Sequence, residues 1–187
     1  MSRLVDLSPP VPEGFRGPPS TDVGVQFDVR VKPGYWQSAQ ATLSCHTGCH
    51  VESALHVFED GEPIDAVALD RVIGPAVVLD LTPVDAGEVI EPSALDAAER
   101  GLAAAGEEIR RGDIVLLRTD WAQRAIGTPR YFPESPALSE GAARWLVGLG
   151  QLPPRFEFFA PFYRFAGIDA APARAFAQIA DEDVPGP

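Results

Sequence analysis

From Val23 to Val31 apolar and polar residues alternate, with Val23, Val25, Phe27, Val29 and Val31 on one parity and Asp22, Gly24, Gln26, Asp28 and Arg30 on the other. A period of two is that of a strand with one face on a core and the other in water, so a half-buried strand is predicted here, its apolar face in the core. Pro33-Gly34 turns the chain, and Ala39 to Cys45 continues it in extended form. Ala76 to Leu81 and Ile114 to Leu117 are apolar without alternation, the pattern of strands covered on both faces. Leu4 to Leu7 is a further short strand, followed by a loop rich in Pro and Gly through Ser20. Pro92-Ser93 opens a helix to about Ala105, which Gly106 ends. Ser139-Glu140 starts another, carrying Ala142, Ala143, Leu146 and Val147 and closed by Gly148 and Gly150. Phe58 to Ile73 reads as loop and a brief helical turn, and Tyr131 to Pro136 as loop. Strands interspersed with helices make the fold class α/β.

Composition narrows this picture. A chain of 187 residues, 45% hydrophobic, is the size of one domain with a substantial core, so residues 1–187 are expected to form a single domain. With a formal net charge of -12 and Lys32 as its one lysine, the chain is a poor partner for nucleic acid or an anionic membrane surface. Met1 to Pro12 lacks a basic leader and an apolar core, and no apolar run approaches the length of a membrane span. Cys45 and Cys49 lie four residues apart, too far along a strand for an easy disulfide, so a soluble protein of the reducing cytoplasm is expected.

All three histidines fall in the twelve residues Cys45 to His56. If this stretch is a strand, His46, His50 and Glu52 project from one face, and two imidazoles with a carboxylate form a divalent-metal site with positions left open. His56 shares the parity but follows Ala54-Leu55, where the chain turns, which suits a group acting beside the metal more than a ligand. The cysteines have the opposite parity and cannot close round the same ion. The bland reading is a polar sheet face with satisfied hydrogen bonds.

The same residues resemble the signature of the cyclase-like metal-dependent hydrolases, the family of bacterial kynurenine formamidase and isatin hydrolase, His-x-Gly-Thr-His-x-Asp-x-Pro-x-His. His46, Gly48, His50 and His56 match, whereas Cys49 stands for Thr, Glu52 for Asp and Ala54 for Pro. Leu4-Val5-Asp6-Leu7-Ser8 is similar to the family's first strand, and Arg118-Thr119-Asp120-Trp121 to an Arg-Thr-Gly-Trp that follows a family strand. Pro172, Arg174 and Ala175 are similar to its closing Pro-x-Arg-Ala pattern. The family's Gly-Ile-Asp strand, further histidine and Glu-bearing strand are expected after the second helix, yet Gly150 runs into Gln151-Leu152-Pro153-Pro154-Arg155, and no histidine follows His56.

The resemblance implies a mixed β-sheet or barrel-like swivelling β/β/α core with a few flanking helices. It implies a zinc or manganese ion on His46, His50 and Glu52, with water activated to attack a small cyclic or N-acyl (N-formyl) amide or an ester, and with His56 as the catalytic proton carrier. Trp36, Trp121, Tyr131 and Phe132 are either lining for an aromatic substrate or ordinary core. Arg118 with Asp120 is either a strand-end ion pair or part of a site, and Arg174 has the same ambiguity. Across the missing stretch either neighbouring strands close over the gap or another subunit covers it, and a homo-oligomer is the economical expectation. Two rival readings are a catalytically silent relative with a binding or structural role and a redox or metal-buffering role for Cys45 and Cys49.

Overall fold

The computed structural model describes residues 2–17, 24–34, 36–148, 156–160 and 162–180. Its strands are β1 (Ser2–Asp6), β2 (Gln26–Lys32), β3 (Trp36–Thr42), β4 (His50–Glu52), β5 (Ile73–Asp80), β6 (Val89–Ile90), β7 (Ile114–Arg118), β8 (Ala137–Leu138), β9 (Phe156–Phe159), β10 (Ala170–Pro172) and β11 (Phe176–Ala180). The helices are α1 (Pro92–Ala104), α2 (Trp121–Ala125) and α3 (Glu140–Gly148). The fold is mixed α/β, with no closed barrel among the described residues. It resolves into two compact units, one built on Asp70–Phe158 with most of β1 and β11, the other on Asp6–Leu69 and Phe159–Phe176.

The first unit carries a five-stranded sheet in the order β1-β11-β9-β5-β7. β5 and β7 run parallel, Ala76 opposite Ile114 through Asp80 opposite Arg118, a pairing that requires a crossover, and α1 lies in it. Leu95 of α1 is fully enclosed with Val77, Leu79, Val84, Ile90, Ile109 and Ala142. Pro92 begins α1, where a missing N–H costs nothing, and Gly106 follows its end at φ +84°. Ala142 N–H donates to Ser139 Oγ at 3.1 Å, capping α3, and Trp145 Nε1–H donates to Asp96 Oδ1 at 2.7 Å, tying α3 to α1. Of β5, Ala76, Val77 and Leu79 are buried, but Val78 is 39% exposed. The expectation of a strand covered on both faces holds at Ala76 and Val77 and is corrected from Val78 onward, where the face shared by Val78 and Asp80 is exposed and lacks the second layer that such burial needs. β7 is half-buried along Ile114 to Leu117 rather than fully buried.

At the carboxyl ends of β5 and β7, Arg118 donates to Asp80 at 3.0 Å and to Asp120 at 2.9 Å, so this cluster is a strand-end ion-pair network. Trp121 is buried and gives its indole N–H to the Tyr131 carbonyl at 2.9 Å, a packing role.

In the second unit β2 and β3 form a hairpin registered from Gln26 opposite Thr42 to Lys32 opposite Trp36. The strand and turn are as the alternation predicts, but the apolar face is not in a core: every residue of both strands is exposed, Val29 by 50% and Val31 by 60%. Alternation reports that one face is apolar, not what covers it, and a two-stranded ribbon has no second layer of its own. Val25, just before β2, is the member of the series that is buried, while Val23 lies outside the described residues. Trp36 is exposed beneath the Lys32 ammonium, 4.8 Å from the ring.

Candidate metal centre

The histidine stretch is not one strand. β3 ends at Thr42, residues 45–49 turn and bend, and only His50–Glu52 is extended. The turn depends on Gly48, at φ +67°, where a Cβ would also sit 2.6 Å from Val11 Cγ2. Thr47 N–H donates to the Ser44 carbonyl at 3.1 Å, and the turn folds His46 back over the start of β4. Shared strand parity therefore explains His50 and Glu52 but not His46, which arrives through the turn.

β4 pairs antiparallel with β10, His50 opposite Pro172, Val51 opposite Ala171 and Glu52 opposite Ala170. The ladder continues past both ends, with Ser53 N–H donating to the Asp169 carbonyl at 2.8 Å and Ala173 N–H to the Cys49 carbonyl at 3.1 Å. A single 3-10 turn, Ala54–His56, then brings His56 round. These local structures gather five side chains, all in the second unit. His46 Nδ1 and His50 Nε2 each lie 3.0 Å from Glu52 Oε1; His46 Nε2 lies 3.1 Å and His56 Nδ1 2.9 Å from Asp169 Oδ2. His50 Nδ1 lies 2.9 Å from the Gly48 carbonyl. His46 is closest to His56, with ring centroids 4.7 Å apart, and meets His50 edge to face at 5.3 Å.

Counting ring protons shows what this arrangement can hold. A carbonyl only accepts, so His50 donates through Nδ1 to Gly48, and the neutral ring presents a lone pair from Nε2 to Glu52. His46 has an acceptor oxygen at both nitrogens and, when neutral, one proton for the two. Two ring nitrogens and a carboxylate oxygen thus converge with too few protons for the contacts they make, a shortage that a divalent cation would relieve. His46, His50 and Glu52 lie close enough together to hold one ion, as do His46, His56 and Asp169. Nearby, the buried hydroxyls of Thr47 and Ser53 have no partner among the described residues, a deficit that ordered water commonly fills. Neither Cys45 nor Cys49 enters a metal-competent group among the described residues, and both are free thiols.

The electrostatics agree with this geometry. Burial works to raise the Glu52 pKa, but the imidazoles of His50, His46 and His56 around it outweigh burial and hold the carboxyl below the ordinary range. The hydrogen bond to Asp169 pushes His56 up, and the same bond holds Asp169 down. Arg174 is exposed and pairs with Asp6 at 2.6 Å.

Asp169 is absent from the sequence-derived candidates. The signal available was the triplet Gly167-Ile168-Asp169, the same three residues the resemblance places in a strand after the second helix, standing just ahead of the closing Pro172 and Arg174. The position of the expected missing strand and helix, residues 149–155, lies outside the described residues.

Comparison with known proteins adds a family and a fold. The family model for putative cyclases matches residues 5–152. Isatin hydrolase A from Ralstonia solanacearum superposes with a TM-score of 0.70 at 21% identity, covering 96% of this chain and 92% of that one. Isatin hydrolase A from Labrenzia aggregata, bound to benzyl benzoate, gives 0.77 at 18% identity, with 96% and 94% covered. A structure described as a potential metal-dependent hydrolase with cyclase activity gives 0.67 at 19%, with 97% and 100% covered. At these identities the likeness is one of fold.

Proposed function

The chain belongs to the putative cyclase family, and from that premise we propose that it is a metal-dependent hydrolase acting on a small cyclic or N-acyl (N-formyl) amide or an ester. The observation that carries the reading is the convergence of His46 Nδ1 and His50 Nε2 on Glu52 Oε1, each 3.0 Å from that oxygen, with too few ring protons for the contacts they make. His46, His50 and Glu52 are the ligands, and zinc and manganese both suit mixed imidazole and carboxylate donors. When bound, the ion supplies Lewis acidity that polarises a carbonyl and lowers the pKa of water. Glu52 brings a full negative charge because its carboxyl is held below the ordinary range. His56, 41% exposed, is placed to carry a proton to the leaving group. Its raised pKa keeps the protonated form present at higher pH than an isolated imidazole.

Residues 1–187 are read as one functional domain working on a small molecule in the cytoplasm, consistent with two free thiols and with the absence, among the described residues, of a helix long and apolar enough to cross a membrane. A homo-oligomer is part of the proposal, supported by the exposed apolar residues of β2. The test begins with protein purified without added metal, assayed for bound ions and titrated with zinc and manganese. A sample that is metal-free and binds neither would sink the reading. An N-formyl aromatic amide should be hydrolysed, and His50→Ala should abolish the activity while leaving the circular dichroism spectrum unchanged. The departures at Cys49, Glu52 and Ala54 favour a second reading, a silent relative with a binding role, which a folded protein that binds metal but hydrolyses none of these substrates would support.

A further inference from the structure

We propose that Asp169 is the positioning residue of this centre, its one carboxylate oxygen taking a ring proton from both His46 and His56 and so fixing which nitrogen of each ring is free. The His46 half of this inference rests on the metal-centre reading; the His56 half does not. Asp169 Oδ2 is 3.1 Å from His46 Nε2 and 2.9 Å from His56 Nδ1. With both rings donating, His46 keeps its Nδ1 lone pair for the point shared with His50 and Glu52, and His56 keeps its Nε2 free for a reacting group. A metal-ligating imidazole usually gives its other N–H to a carboxylate, which fixes tautomer and ring orientation and makes the ligand more basic. Here the same oxygen serves a ligand and the proton carrier, so the two rings are set against each other at a centroid distance of 4.7 Å.

The competing assignment is a second ion held by His46, His56 and Asp169. Proton counting separates the two. Around Glu52 the rings lack protons for the contacts they make, whereas at Asp169 each ring has one to give and the carboxylate accepts both. A second ion would also require His46 to lose both ring protons and bridge two cations. The main chain at this position is fixed independently of the side chain, since Ser53 N–H donates to the Asp169 carbonyl, so the carboxylate can be removed with β10 kept in register.

The experiment uses the full chain, as wild type, Asp169→Ala and Asp169→Leu, the last filling the vacated volume without an acceptor. Two-bond nitrogen–proton NMR spectra of the metal-free protein, taken at a pH where the imidazoles are neutral, read the tautomers directly. Wild type is expected to show His46 protonated at Nε2 and His56 at Nδ1. In the variants these two rings should lose their single tautomers while His50, held by Gly48, keeps its Nδ1 proton as an internal control. A chelator-competition titration should show zinc binding weakened about 10- to 100-fold. Unchanged tautomers at His46 and His56 in either folded variant would overturn the proposal. So would a wild type that binds two zinc ions and variants that bind one, because Asp169 would then be a ligand. If wild type binds no zinc at all, the metal-centre reading fails, and the tautomers alone decide whether Asp169 anchors the rings.

Discussion

At Gly61 the main chain passes so close to Ala54 and Leu55 that a Cβ would overlap their backbone atoms. Leu55 N–H donates to the Glu62 carbonyl at 3.2 Å, so the approach is part of how the 3-10 turn carrying His56 is held. Gly61→Ala must push that turn away, while His50 and Glu52 on the other side of Ser53 keep their pairing with β10. The expected result is zinc affinity within about twofold of wild type and turnover reduced by the 100-fold or more that a misplacement of about 1 Å can cost. A zinc titration beside a turnover assay checks both arms. The composition of the centre was largely readable from the sequence, since the three histidines fall within twelve residues, but its geometry was not. Strand parity selects His46 together with His50 and Glu52, yet His46 reaches them through the left-handed Gly48. Asp169 lies 123 positions beyond His46, a distance that no local pattern spans.

Among the elements, α1 and β5 hold the first unit together. Leu95→Ala removes a fully buried side chain from the cluster around Val77 and Leu79 and should cost about 2–5 kcal/mol in denaturant unfolding, with zinc affinity unchanged in the folded protein. The ends of β5 and β7 predict a pH dependence. The Thr82 hydroxyl and amide, with Arg118 beyond them, hold the Asp80 carboxyl below its ordinary 3.8, and Arg118 holds Asp120 down likewise. The unfolded chain takes up these protons more readily, so the stabilisation is fully present above about pH 3.8 and is lost as pH falls through the lowered folded values. Asp80→Asn should lower the urea midpoint at neutral pH slightly and flatten its decline below that pH by a matching amount, both small because the pair is exposed. These elements also mark where patterns stop being informative. Pro92 and Gly106 announce α1 to within a residue, because caps are local chemistry. Val78 and Val29 sit in apolar sequence and face solvent, because burial is decided by layers that the segment itself does not encode.

For the molecule as a whole, β2 and β3 are the region the chain leaves unfinished. Phe27, Val29 and Val31 share one face of a ribbon with no layer against it among the described residues, the kind of surface that subunit contact usually covers. Val29→Glu together with Val31→Glu should therefore lower the molar mass measured by light scattering, leaving the thermal transition of the subunit in place. A wild type that is monomeric at high concentration would rule out the oligomer.

The second unit is also discontinuous in sequence, with Asp70–Phe158 between its two parts. Joining Asp169 to residues on the far side of about 120 others costs about 4 kcal/mol in loop entropy, more than the three residue pairs of β4 and β10 return by themselves. The adjacency of β9 to β5 in the five-stranded sheet holds the two ends of that long segment together. This connectivity predicts an order of assembly: the sheet closes, β10 then zips onto β4, and the carboxylate of Asp169 arrives last. If His46, His50 and Glu52 are the ligands, as proposed, then before that step they would form a loose chelate that exchanges an ion rapidly, and after it the rings would be locked and exchange slow. Refolding in the presence of zinc should thus show a chelator-accessible ion that becomes inaccessible in the final phase, and the side chain of Asp169 sets when that happens.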